Sequence, residues 1–130
     1  MSWEVLYNER TDTVELINTG TFTPEDLFRE VPVAYRLARK NGTGRYLVDG
    51  SEREVLAVSH FDYYDVPKVL EGFELDEDTK IAMVLPHGQD SDEGMTFFET
   101  ICLNRGYNAR IFKSREEAEA WLNSQLSGSD

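Results

Sequence analysis

Two short stretches without a polar residue constrain this chain more than anything else in it. Tyr46-Leu47-Val48 and Ile81-Ala82-Met83-Val84-Leu85 show none of the apolar-polar alternation of a strand with one wet face. A strand that is apolar at successive positions is covered on both sides, which suits the centre of a parallel sheet. Parallel neighbours need a crossover, and the residues between supply one. Val66, Val69, Leu70 and Phe73 recur at helical spacing, with Asp65 as cap and Pro67 just inside the helix.

The flanks extend the pattern. Trp3-Glu4-Val5-Leu6-Tyr7 and Val14-Glu15-Leu16-Ile17 are β-rich and separated by the turn formers Asn8 to Asp12, which predicts an antiparallel hairpin. Thr23-Pro24-Glu25-Asp26 opens a helix with a cap, a proline at the first position and acids at the positive end. Leu27, Val31, Ala34, Tyr35 and Ala38 form its apolar stripe, Pro32 should kink its first turns, and Arg39-Lys40-Asn41-Gly42 closes it. A helix from about Asp92 to Arg105 buries Met95, Phe98, Ile101 and Cys102, and stops at Gly106. Ala109, Ile111 and Phe112 make a last strand, ending near Ser114, which caps a helix carrying Ala118, Trp121, Leu122 and Leu126. The expectation is an α/β fold in ββαβαβαβα order, a mixed five-stranded sheet with four helices, the first βα strand ending at Asp49-Gly50. Residues 1–126 form a single domain and 127–130 a frayed tail. In such open sheets ligands gather beyond the carboxyl ends of the strands, here Asp49 to His60, His87 to Asp92, and Ser114.

The charge balance narrows the partners. Acidic residues outnumber basic ones 25 to 13, for a formal net charge of −12. The excess is spread, with 12 acidic against 7 basic residues up to Asp65 and 13 against 6 beyond it. Such a field repels phosphate backbones and anionic lipid heads, so no nucleic-acid partner is expected. The longest apolar run is about four times too short to span a bilayer, so no membrane insertion is expected either. Cys102 is the single cysteine, which suits a reducing compartment, and the start carries no basic and apolar leader. The localisation expected is cytoplasmic.

The opening hairpin, the strand Tyr46-Leu47-Val48-Asp49 with its following loop and helix, and the ending Phe112-Lys113-Ser114-Arg115-Glu116-Glu117-Ala118-Glu119-Ala120-Trp121-Leu122 resemble the STAS-like fold. That fold is shared by bacterial anti-sigma-factor antagonists and the cytoplasmic parts of sulfate transporters, and the likeness is narrower to its uncharacterised SpoIIAA-like bacterial branch. In the antagonists, the resemblance implies a phosphorylatable serine within Asp-Ser-Ser/Thr-Gly at the helix after the third strand. Ser59 falls near that place, in Ala57-Val58-Ser59-His60, without the preceding Asp or the following Gly.

Chemistry-bearing motifs are otherwise incomplete. His60 and His87 follow strands beside Asp62, Asp65, Asp90 and Asp92, but no spacing fixes two ligands on one helical face. Asp90-x-Asp92-x-Gly94 begins like a calcium loop and then fails at Met95 and Ile101. Gly42-Thr43-Gly44 precedes a strand instead of following one, and Gly50-Ser51-Glu52-Arg53 supplies half of a serine-hydrolase elbow. No catalytic residue, metal site or cofactor is assigned, and Cys102 reads as core.

The most unusual segment is His60-Phe61-Asp62-Tyr63-Tyr64-Asp65, three aromatics among acids. Such residues either cover a sheet's end or present a partner or ligand surface, for which Ser59, His60, Phe61, Tyr63, Tyr64 and His87 are the candidates. The leading reading is a non-enzymatic cytoplasmic regulatory or interaction module with a protein partner. The alternative is a carrier of a small apolar or lipid ligand, by similarity to Sec14-type domains. A metal-dependent enzyme using His60 and His87 comes third. A homodimer also fits a small acidic domain with surplus aromatics.

Overall fold

A computed structural model of the chain describes residues 3–21, 23–54, 70, 72–76 and 78–124. β1 (Trp3–Asn8) and β2 (Thr13–Gly20) form the expected hairpin, antiparallel from Trp3 opposite Asn18 to Asn8 opposite Thr13. Its turn is built by side chains. The Asn8 carboxamide oxygen accepts from the Arg10 amide at 3.1 Å, and Asp12, at φ 54°, accepts the Tyr7 hydroxyl at 2.7 Å.

α1 (Pro24–Asn41) begins in a capping box, in which the Thr23 hydroxyl accepts from the Asp26 amide while the Asp26 carboxylate accepts from the Thr23 amide. The helix continues through Pro32 and ends at Gly42, whose φ of 67° lets its amide turn back to the Ala38 and Arg39 carbonyls. β3 (Arg45–Arg53), β4 (Lys80–Val84) and β5 (Asn108–Phe112) follow, with α2 (Glu93–Asn104) between β4 and β5 and α3 (Arg115–Asn123) at the end. The sheet order is β1-β2-β3-β4-β5, with every pair after the hairpin parallel. The expected mixed five-stranded sheet is present.

Two expectations need correction. The helices among the described residues number three, not four. The helix expected from Asp65 falls on residues outside the described ones apart from its end, where Leu70 is buried and its carbonyl accepts from the Phe73 amide at 3.3 Å, a single turn. Leu126 and the 127–130 tail also lie outside the described residues. The strand expected to end at Asp49-Gly50 runs on to Arg53, because β2 continues to pair with it, Thr19 with Glu52 and Gly20 with Arg53.

That continuation passes a bulge. Ile17 pairs with Asp49 and Thr19 with Glu52, so two steps on β2 match three on β3. The extra residue resets which side chains face which side of the sheet. One face carries Val14, Leu16, Tyr46, Ile81, Met83 and Ala109 against Ala34 and Ala38 of α1 and Met95 and Cys102 of α2. The other packs Leu47, Ala82 and Val84 against Ala118 and Leu122 of α3. Both central strands are therefore covered on both sides, as their apolar runs require. Lys80 adds a fastening at the end of α3, its ammonium donating to the Trp121 carbonyl at 2.5 Å and lying 4.6 Å from the Trp121 ring centroid.

Candidate functional site

α1 seats over β1 and β2, and α2 over β5. The stretch of sheet between them, bearing Tyr46, Val48, Ile81 and Met83, becomes the floor of a cavity of about 330 Å³. Leu27 and Ala34 line it from α1 and Met95 and Phe98 from α2, with Leu70, Phe73 and Leu75 closing a further side. The last segment is pinned to α1 through Tyr35, which stacks on Phe73 at 4.6 Å between centroids and donates its hydroxyl to the Glu74 carbonyl at 3.3 Å. A mostly apolar hollow of this volume is within the range of small-molecule sites.

Thr23, Ser91 and Glu93 are polar members of the lining, and four further polar side chains form two pairs there. Glu30 of α1 is 0% exposed, and the Asn18 side-chain NH2 donates to its two oxygens at 2.8 and 3.3 Å. Burial pushes the Glu30 carboxyl up to about 8; the Asn18 hydrogen bond and the Arg53 charge oppose the rise, and Asp26 adds to it. Near neutral pH this carboxyl is mainly protonated. The second pair is Arg53 with Asp92, 2.9 Å apart and 7% and 8% exposed. The other Asp92 oxygen accepts from the Met95 amide at 2.9 Å, so one carboxylate both caps α2 and ties it to the end of β3. Gly50 lets α2 come close, since a Cβ there would lie 2.8 Å from the Met95 terminal methyl and 3.0 Å from the Val84 carbonyl oxygen.

The opposite face holds a second charged cluster. Arg115, at the start of α3, reaches Glu15 at 2.6 Å, Asp49 at 3.1 Å and Glu119 at 2.9 Å. Glu15 is buried and also accepts from the Asn8 carboxamide at 2.9 Å. Burial would raise the Asp49 carboxyl, but hydrogen bonds from the Ser51 hydroxyl and amide, with the Arg115 guanidinium, hold it below its usual range. This network fastens α3 to β2 and β3.

The residues singled out from sequence fare unevenly. Ser59, His60, Phe61, Tyr63 and Tyr64 lie outside the described residues, and with them the phosphorylation, partner-surface and dimer expectations. His87 is exposed, its ring 2.9 Å from Glu52, away from the cavity lining. Among the described residues no group of three or more His, Cys, Asp and Glu side chains is placed to hold a metal ion, and no helix is long and apolar enough to cross a membrane. Cys102 is fully buried, and burial pushes its thiol up to about 12. Glu30, Asn18 and Arg53 carried no functional expectation, although Glu30 stands three residues after Leu27 and four before Ala34, on the buried stripe of its own helix.

No protein-family model matches the chain, and no curated protein does. Among solved structures it is similar to an uncharacterized protein of the DUF3478 family from Shewanella loihica PV-4, described as having a SpoIIAA-like fold. The likeness covers 92% of this chain and 91% of that one at a TM-score of 0.53 and 17% identity. The chain therefore has the SpoIIAA-like, STAS-like fold that its hairpin and its closing strand and helix resemble.

Proposed function

We propose that this protein is a non-enzymatic binding module that holds a small, largely apolar molecule between α1 and α2. The observation that carries the reading is the cavity of about 330 Å³, walled by aliphatic, aromatic and methionine side chains around one fully buried carboxyl. Glu30 and Asn18 give a ligand one polar anchor, and the remaining wall favours apolar groups. Against a catalytic reading, both Asp92 oxygens are committed, one to Arg53 and one to the Met95 amide, so Asp92 is not free to act as an acid or base beside Glu30. The SpoIIAA-like fold favours a regulatory use in the cytoplasm, with the bound molecule as signal, over bulk carriage.

Native mass spectrometry of gently purified protein tests the reading. A bound species that survives gentle desorption, and that is missing from an Ala34→Phe variant with unchanged circular dichroism, supports it. Protein that arrives empty, and stays empty after exposure to small apolar compounds, contradicts it.

A further inference from the structure

We infer that the cavity selects for positive charge: its ligand is a small lipophilic cation whose onium group sits against Glu30. The inference rests on the binding reading above and names the ligand class.

Glu30 is an acid placed where only a cation gives it a use as a charge. Its bonded partner, Asn18, is neutral. Arg53, the cation facing it from β3, is held by Asp92 at 2.9 Å. Among the described residues, the other charged groups that line the hollow or act on Glu30 are acids, Asp26 on Glu30's own helix and Asp92 and Glu93 at the start of α2. Tyr35 and Tyr46 also line the cavity, and the guanidinium of Arg39, whose charge also acts on Tyr46, lies 5.7 Å from the Tyr35 ring centroid and donates to the Tyr35 hydroxyl at 3.1 Å. Among the described residues of the lining, Glu30 thus meets no uncommitted cation, within a chain of net charge −12. An anionic ligand would be repelled here, and a neutral one would leave the carboxyl as a plain hydrogen-bond donor.

A cation supplies the missing counter-charge. As it enters, Glu30 releases its proton to solvent, so one positive charge replaces another and the charge of the filled site is unchanged. The rest of the wall suits the same guest. Tyr46 and Phe98 bring aromatic rings, whose faces attract cations, to the lining, and the sulfurs of Met83 and Met95 are polarisable.

The test compares benzyltrimethylammonium with its uncharged isostere neopentylbenzene, titrated into the full chain by calorimetry or NMR. The quaternary cation does not titrate, so any pH dependence belongs to the protein. Its affinity is expected to rise about tenfold per pH unit from pH 6 towards pH 8 and then level, following the carboxylate form of Glu30, while the isostere shows no such rise. Glu30→Gln should remove the rise and the preference for the cation. Equal binding of the two probes without pH dependence overturns the inference and leaves the binding reading standing. Binding of neither overturns both. The wild-type comparison decides the matter even if the variant does not fold.

Discussion

Replacing Glu30 with glutamine keeps the shape of the side chain and an acceptor for Asn18, and removes the ability to ionise. The wild-type carboxyl has an ordinary value of 4.5 and is pushed to about 8 in the fold. Between those values the unfolded chain has released this proton and the folded chain has kept it, so the folded state binds more protons and stability falls as pH rises. The slope is about 1.4 kcal/mol per pH unit. The loss begins near pH 4.5, reaches roughly 3 kcal/mol by pH 7 and levels above pH 8 at roughly 4–5 kcal/mol. The glutamine variant bears none of it. Urea unfolding of both proteins at pH 5, 6, 7 and 8 should give nearly equal stabilities at pH 5 and a widening advantage for the variant above it. Subtracting the two curves cancels the remaining titrating groups. A constant difference, or a variant that loses stability at pH 7 as a broken ion pair would, refutes the assignment of Glu30 as a buried acid that the fold keeps protonated.

Other changes probe the scaffold around the cavity. Gly50→Ala puts a methyl group against the Met95 side chain and the Val84 carbonyl and should cost about 1–3 kcal/mol with an unchanged denaturant slope, read by urea unfolding; a neutral result would mean α2 does not sit this close. Arg115→Met strands the buried Glu15 carboxylate, and should cost about 2–4 kcal/mol at pH 7, less than a fully enclosed pair because Arg115 is 35% exposed. Asp49, held below its ordinary 3.8, contributes stability above that value and loses it as pH falls through its lowered folded value, so the gap between wild type and Arg115→Met should narrow in acid. A gap that widens in acid would remove the ion network as its cause.

The legible parts of the fold were those that local rules decide alone. Caps at Thr23 and Ser114, the glycine stop at Gly42 and the continuous apolar runs of β3 and β4 each declare themselves within a few residues. The cavity does not, because it arises from where α1 and α2 land on the sheet. Arg53 was hidden further by the bulge: counting alternately from Leu47 and Asp49 places it with the α3 face, and the extra residue on β3 turns it towards Asp92. Asn18 and Glu30 did leave traces. Asn18 continues the Val14, Leu16 alternation of β2, and Glu30 interrupts the Leu27, Ala34 stripe of α1. Two polar residues on two apolar faces that meet are a mutual explanation, visible once the topology joins β2 to α1 across one sheet face. The aromatic segment around Tyr63 and Tyr64 is the more unusual in composition, and it lies outside the described residues.

The most direct measurement is a methyl-resolved NMR titration of the protein with a neutral apolar probe such as neopentylbenzene. Occupation of the cavity predicts shifts at Leu16, Leu27, Val31, Ala34, Ile81 and Met95, with Leu47, Ala82, Val84 and Leu122 across the sheet nearly unmoved. Saturable shifts confined to the first group are the expected result. An unperturbed spectrum at the solubility limit of the probe, or shifts centred on the α3 face, would contradict a ligand site between α1 and α2.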